Sequence, residues 1–347
     1  MRTAGTAQRL SVVPEARLSV VPEARLRVVP EARLPDVAPK ADGEFAAAVI
    51  DGLSKSRKSL PCRFFYDARG SELFEEITRL PEYYPTRVEA HILAAHAEEM
   101  ADGVPGDGVL VEFGSGSSRK TEIVLEKLPP LVAYVAIDVS ESALDEAKRR
   151  LEARFPCLDV RAIAGDFSHR IEFPSDLAGR PKTGFFPGST IGNLTPADAA
   201  RLLRTFRTQL SPGGRLIIGV DLKKDARKLV LAYNDAAGVT AAFNLNLLAR
   251  INREIGPAFD LDAFRHEAIY DPREGRIEMY LVSRSDQEAR IAGRRFRFRC
   301  GERIHTENSY KYSVSQFRDL SRAAGWLPGR VWTDADDQFS VHELISR

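Results

Sequence analysis

"LVEFGSGSSRKTEIV" (residues 110–124) carries an apolar run into Gly114-Ser115-Gly116 and then into a basic, helix-prone segment. A strand, a glycine turn and a helix in that order commonly hold a nucleotide-like ligand. A phosphate-binding loop needs glycine, four spacers and then Gly-Lys-Ser/Thr, so that backbone N–H groups wrap the phosphates. Lys120-Thr121 is present, but Arg119 stands where the last glycine belongs. The dinucleotide fingerprint requires a third glycine three residues after Gly116, for close packing of helix on sheet. That position is again Arg119. What survives is a glycine turn preceded by a carboxylate, Glu112, an arrangement suited to a cationic ligand.

Outward from this turn the apolar pattern alternates strand and helix. Strand-like runs are GVLVEF (108–113), LVAYVAID (131–138), LDVRAIAG (158–165), TGFFPGS (183–189) and GRLIIGVD (214–221), with helix-like runs after each of the first four. The pattern predicts an α/β protein with a parallel, doubly wound sheet. A long helical region follows (225–255, interrupted by Asn and Gly), then antiparallel-looking runs at 264–270, 276–283 and 294–300. That block reads as an α+β lobe inserted in the sheet domain. A helix at 314–325 and strands at 329–334 and 339–346 close the chain. Two antiparallel strands ending an otherwise parallel sheet resemble the closure of class I, Rossmann-type methyltransferases.

Composition narrows the function classes. The 347 residues are 44% apolar, enough for one large core or a core with a smaller second domain. Fifty Lys and Arg against forty-nine Asp and Glu leave a net charge of +1, so no global field draws the chain to nucleic acid or to an anionic membrane. Cys62, Cys157 and Cys300 are far apart and have no metal-ligand spacing, and the six histidines form no metal signature, so no metal is expected. The cysteines predict a reducing, cytoplasmic setting, no stretch is long and apolar enough for a membrane span, and a monomer is expected. Residues 1–42 contain RLSVVPEA at 9 and 17, RLRVVPEA at 25 and a decayed copy at 33. Proline in every unit and two valines per intact unit predict a disordered tail outside the fold.

The strand ends define the ligand further. Asp138 closes the second strand, where a carboxylate accepts the two ribose hydroxyls of an adenosyl group lying over Gly114 and Gly116. Asp166 and Phe167 follow the third strand and offer an acceptor for the adenine amino group and an aromatic face for its ring. A cationic, phosphate-free adenosyl compound is S-adenosylmethionine, and Lys120 is placed to reach its carboxylate. Each position alone also fits a helix cap or a solvated lysine; their order at successive strand ends gives the assignment its weight.

Six blocks then carry a resemblance. "RFFYDARGSELFEEITRLPEYYPTRVE" (63–89), "VEFGSGSSRKT" (111–121), "FFPGSTIGNLTP" (185–196), "AYNDAAGVTAAFNLNLL" (232–248), "RIEMYL" (276–281) and "HTENSYKY" (305–312) together resemble the L-histidine Nα-methyltransferases of ergothioneine biosynthesis. The resemblance runs from about residue 44 to the end. It implies a class I methyltransferase sheet with an inserted α+β substrate-binding domain. The boundaries expected are a tail at 1–42, an N-terminal helix of the methyltransferase domain at 43–55, substrate-domain segments at 56–86 and 223–310, and methyltransferase segments at 87–222 and 311–347. It also implies three successive methyl transfers to the α-amine of histidine, giving the betaine hercynine.

Carried over residue by residue, the resemblance implies that Tyr66 and Tyr233 bind the substrate carboxylate, phenols doing so without a second positive charge beside the sulfonium. It implies that the Gly188 carbonyl and Asn193 hold the amine, that Tyr83 is a further pocket tyrosine, that Glu307 and Ser309 read the imidazole, and that Met279 forms a pocket wall. In isolation each fits a plain core or loop role. Relatives of this architecture that methylate tryptophan derivatives make that ring the alternative substrate, and Glu307 discriminates, because an indole would leave it unpaired. A non-catalytic adenosylmethionine-binding regulator is the other alternative.

Overall fold

The alternation around the glycine turn becomes one seven-stranded sheet in a computed structural model that describes residues 43–116, 119–210 and 212–346. The tail expected at 1–42 lies outside the described residues. The chain runs α1 (Gly43–Ser54), a 3₁₀ turn (Cys62–Phe65), α2 (Ala68–Thr78) and α3 (Tyr84–Ala101) before entering the sheet at β1 (Val109–Phe113). It continues through α4 (Arg119–Leu125), β2 (Ala133–Asp138), α5 (Glu141–Arg154), β3 (Asp159–Ala164), β4 (Lys182–Phe186), a 3₁₀ turn (Thr190–Asn193), α6 (Pro196–Leu210) and β5 (Arg215–Asp221). Then come α7 (Ala226–Ala232), α8 (Val239–Glu254), β6 (Phe264–Asp271), β7 (Arg276–Ser283), β8 (Gln287–Ile291), β9 (Arg294–Phe298) and β10 (Arg303–Tyr310). The last elements are α9 (Val314–Ala323), β11 (Trp326–Thr333) and β12 (Phe339–Ser346).

Strand order is β11-β12-β5-β4-β1-β2-β3, with β1 paired in parallel to both β2 and β4. The order reverses there, so the carboxyl ends of β1 and β4 splay into the crevice where open α/β sheets bind ligands. This is the class I methyltransferase sheet. Every residue of β1, β4 and β5 is buried, as expected of strands covered on both faces. Helix α6 supplies much of one cover: Phe206 stacks on Phe113 of β1, ring centroids 3.9 Å apart.

Two expectations are corrected. No α-helix follows the third strand; between β3 and β4 there is only the 3₁₀ turn Ser175–Leu177. Pro174, Gly179 and Pro181 punctuate that segment too closely for a helix. At the other edge only β12 is reversed. It pairs antiparallel with both β5 and β11, so β11 again points with the parallel strands.

A second core lies beside the sheet. Phe65, Leu73, Tyr83, Tyr233, Phe243, Met279 and Ile304 belong to one buried cluster, which gathers α2, the loop before α3, α8 and the three-stranded sheet β10-β7-β6. Helix α1, which the resemblance assigns to the methyltransferase domain, packs Phe45, Val49 and Leu53 into this cluster. The helical region at 225–255 is interrupted, as its Asn and Gly suggested, at Tyr233–Gly238, with Gly238 at φ 75°. That break leaves Tyr233 at the end of α7.

Candidate active site

The carboxyl edge of the sheet collects the residues expected to hold the adenosyl group. Gly114 and Gly116 take φ of 71° and 48°, a left-handed conformation that a β-carbon would strain. A Cβ on Gly114 would also stand 3.1 Å from the Phe167 ring, so Phe167 lies over the turn as well as against Phe186. Asp138 accepts from the Gly116 N–H at 2.9 Å and from the Ser140 N–H at 2.9 Å. It therefore shapes the turn and caps the approach to α5 from one carboxylate. Asp166 accepts from the Ser168 N–H at 2.8 Å. Glu112 faces inward: it is 1% exposed and accepts from Thr121 at 2.6 Å and from Tyr134.

Lys120 is partly committed. Its ammonium lies 2.5 Å from Glu89, a carboxylate on α3 that is 1% exposed and that also accepts the Gly188 N–H. Glu89 thus ties the helix after the glycine turn to the turn after β4. Glu89 ends the first quoted block, where a glutamate reads as solvated.

The turn after β4 is strained by design of its sequence. Gly188 sits at φ 85° and Ser189, a non-glycine residue, at φ 56°. The Ser189 hydroxyl accepts from the Asp221 N–H at 2.9 Å, which offsets part of that strain. The following 3₁₀ turn ends at Asn193 and passes close to β10, because a Cβ on Gly192 would come within 2.8 Å of the Tyr310 carbonyl. That approach brings Asn193 to the same cavity as Ser309.

All eight substrate-side residues line this one cavity: Tyr66, Tyr83, Gly188, Asn193, Tyr233, Met279, Glu307 and Ser309. Each arrives by a separate device. Tyr66 follows the 3₁₀ turn, and the next residue, Asp67, caps α2 and accepts from Asn246 of α8. Tyr83 is fixed by Arg87, whose guanidinium donates to the carbonyls of Leu80, Pro81 and Tyr83. Glu307 and Ser309 alternate on β10, so they share a face, and Met279 of β7 is the cross-strand partner of Glu307. His266 donates from Nε2 to the Tyr233 carbonyl, 2.8 Å away. Its Nδ1 accepts from Asn244, whose amide nitrogen also bonds the Tyr280 carbonyl and so has its orientation fixed.

The cavity's polar ends differ in how they are satisfied. The Tyr66 and Tyr83 hydroxyls, the Asn193 amide and the Glu307 carboxyl make no hydrogen bond among the described residues. Burial pushes the Glu307 carboxyl up to about 7, with the Lys311 ammonium acting in the opposite sense. Burial also holds the phenols of Tyr66, Tyr83 and Tyr233 well above their ordinary range, so all three are donors at neutral pH. Tyr233 and Ser309, by contrast, bond each other at 2.7 Å, and the Lys311 ammonium lies behind both.

Lys311 corrects one expectation. The tyrosines do not spare the pocket a positive charge: an ammonium with a side-chain exposure of 0% stands 3.0 Å from the Tyr233 hydroxyl. It is neutralised by Asp221 at 2.7 Å. Asp221 also accepts from Tyr84 and from Lys224. Burial works against its charge, but the two ammoniums overcome it and hold the carboxyl below its usual range. Burial lowers Lys224 itself to about 8. The signals for this cluster were in view: Lys311 lies in the last quoted block, and Asp221 ends β5 as Asp138 ends β2.

A family model described as histidine-specific methyltransferase, SAM-dependent, matches residues 45–346. The chain is 44% identical to histidine N-alpha-methyltransferase of Mycolicibacterium smegmatis over 296 residues, 84% of this chain and 91% of that protein. It is 43% identical to the histidine N-alpha-methyltransferase of Mycobacterium tuberculosis over 299 residues, 84% and 92% of the two chains. Ergothioneine biosynthesis protein 1 of Neurospora crassa is 33% identical over 295 residues, 83% of this chain but 33% of that longer protein.

Proposed function

The chain belongs to the SAM-dependent, histidine-specific methyltransferases, and from that membership we propose that it transfers three methyl groups from S-adenosylmethionine to the α-amine of L-histidine. The product is hercynine, a precursor in ergothioneine biosynthesis. The observation that carries this reading is the set of unpaired polar ends in one aromatic-walled cavity: two phenols, an amide and a carboxyl. These ends face the cavity without a protein partner among the described residues, and their chemistry matches an amino acid with a polar ring. The segments 56–86 and 223–310 form the substrate side in this reading, and the sheet at 87–222 with 311–347 the donor side.

S-adenosylmethionine fits the carboxyl edge on the observations above: a left-handed glycine turn under an aromatic ring, with a carboxylate at the end of the next strand. Gly114, Gly116, Asp138, Asp166 and Phe167 would hold its adenosyl half and Lys120 its carboxylate. Bound there, it supplies an electrophilic methyl group.

The protein's own residues then have positioning work. Tyr66 donates to the substrate carboxylate, and Tyr233 stands beside it, its hydroxyl bonded to Ser309. Asn193 and the Gly188 carbonyl orient the neutral amine, since an ammonium has no lone pair to attack with. Such fixing of the nucleophile is worth several kcal/mol of barrier. Glu307 and Ser309 take the imidazole edges, and Met279 closes the wall beside Glu307. The amine proton leaves to water between transfers, and the aromatic faces of Tyr66, Tyr83 and Tyr233 stabilise the permanent cation that results by ~1 kcal/mol or more. Among the described residues no helix is long and apolar enough to cross a membrane. Cys62, Cys157 and Cys300 are free, which supports a cytoplasmic setting; we read the enzyme as a monomer.

A competition assay tests this reading. Equal histidine and tryptophan are offered with S-adenosylmethionine, and products are identified by mass. Trimethylated histidine as the main product is expected; methylated tryptophan in excess, or no amino-acid product, contradicts it.

A further inference from the structure

Lys311 lies outside the recognition set above, yet its geometry constrains that set. An ammonium has three hydrogens and no lone pair. Three acceptors surround this one: Asp221 at 2.7 Å, the Ser309 hydroxyl at 2.7 Å and the Tyr233 hydroxyl at 3.0 Å. Lys311 is therefore the donor at both hydroxyls. Those hydroxyls are also 2.7 Å from each other, so one hydroxyl hydrogen lies between them. With both oxygens already accepting, the remaining hydrogen has one direction left, into the cavity that both residues line.

We propose that Lys311 is a positioning residue for substrate selection, which turns the Ser309–Tyr233 wall into a hydrogen-bond donor and so requires a lone pair on the ligand atom seated there. This deepens the histidine reading and rests on it. A neutral imidazole carries one N–H and one lone-pair nitrogen. With the Tyr233 hydroxyl giving the bridging hydrogen, Ser309 accepts twice and can only donate, so the ring must turn its lone pair to Ser309 and its N–H to Glu307, two residues before it on the same face of β10. One tautomer is thereby chosen, and an imidazolium, with N–H at both positions, is refused. Asp221 makes the device possible: it balances the buried ammonium, and Tyr84 and Lys224 occupy its other acceptor positions.

The test uses the full chain, Lys311→Met, and the charge-balanced pair Lys311→Met with Asp221→Asn, which removes both members of the ion pair. Three substrates are compared by kcat/KM: histidine, β-(pyrrol-3-yl)alanine, which has an N–H and no acceptor nitrogen, and β-(thiazol-4-yl)alanine, which has an acceptor nitrogen and no N–H. In the parent, the pyrrole analogue should be at least roughly tenfold worse than histidine, because it leaves the donor wall unpaired. Removing Lys311 frees Ser309 to accept, so that discrimination should fall by about fivefold or more, chiefly through KM, while discrimination against the thiazole, which reports on Glu307, stays within about twofold. If the single variant does not fold, the balanced pair decides by the same ratios. Unchanged pyrrole discrimination, or equal loss of both discriminations, overturns the role of Lys311. A parent without histidine turnover would instead overturn the functional reading itself.

Discussion

The carboxyl edge of the sheet, proposed for the methyl donor, and the cavity proposed for the substrate are built on opposite principles. At the edge, the functional groups sit at the ends of successive strands, and several are bonded to their own backbone: Asp138 to Gly116 and Ser140, Asp166 to Ser168. The cavity assembles residues as distant in sequence as Tyr66, Asn193, Tyr233 and Ser309. Its exposed polar ends are unpaired, and its one paired corner rests on a buried lysine and aspartate. A site made of strand ends is shaped by the strands and the turns that follow them. A site made of convergent segments depends on whatever holds those segments together, and that places the most sensitive residue behind the cavity.

The largest effect that follows is on Asp221. Asp221→Ala leaves the Lys311 ammonium enclosed without its carboxylate, and breaking a buried pair from one side costs about 3–5 kcal/mol. Urea unfolding should show that loss, larger than for the balanced double variant. A loss under about 1 kcal/mol would put the cavity on the same footing as the edge.

Next comes the cross-strand pair Glu307 and Met279. Glu307→Ala removes the proposed partner of the ring N–H and should lower kcat/KM for histidine by ~2–3 kcal/mol, roughly 30- to 150-fold. Tryptophan's relative turnover should rise. Because the two residues face each other in the β7–β10 register, adding Met279→Val should widen the same space and shift the preference further toward the indole, with a non-additive combined effect. Product ratios from mixed substrates measure both. A double variant that keeps the parent's preference removes Glu307 as selector.

How much of this was legible follows from the same contrast. The sheet was readable because fully buried strands make continuous apolar runs between turn residues, and Asp138, Asp166 and Phe167 could be placed from strand ends alone. The absent helix between β3 and β4 was misjudged because apolar spacing outweighed Pro174, Gly179 and Pro181. The direction of β11 could not be read, since apolar spacing carries no strand orientation. On the cavity side, nothing in the spacing of Tyr66, Tyr233 and Glu307 brings them together; the resemblance did. Lys311 and Glu89 were overlooked because a charged residue in sequence reads as solvated, and the partners that bury them, Asp221 and the Gly188 backbone, are far away along the chain.

On the edge, Asp138→Ala should weaken S-adenosylmethionine binding at least roughly tenfold, since the ribose hydroxyls lose a charged acceptor worth ~1.5–3 kcal/mol per bond. The turn also loses its bond to Gly116. Calorimetry that returns the parent affinity would remove Asp138 from the site.

The smallest effect is a pH dependence. In the folded protein Glu307 holds its proton up to about pH 7, against 4.5 ordinarily. The folded state thus binds more protons than the unfolded one between those values, and stability falls as pH rises through that window. Glu307→Gln should match the parent below the window and gain on the order of 1–2 kcal/mol above it. Denaturant midpoints at both ends check this in ligand-free protein; a gain that does not depend on pH would mean the carboxyl is not buried as described.

The most direct measurement follows the methyl groups. Histidine is incubated with the enzyme and S-adenosylmethionine labelled with carbon-13 in its transferred methyl, and the product is examined by NMR. The cavity as described predicts one intense resonance from three equivalent methyls on the α-nitrogen and none on the ring. Label on an imidazole nitrogen would mean that the amine is not the group held by Asn193 and Gly188, and would contradict the assignment of the cavity.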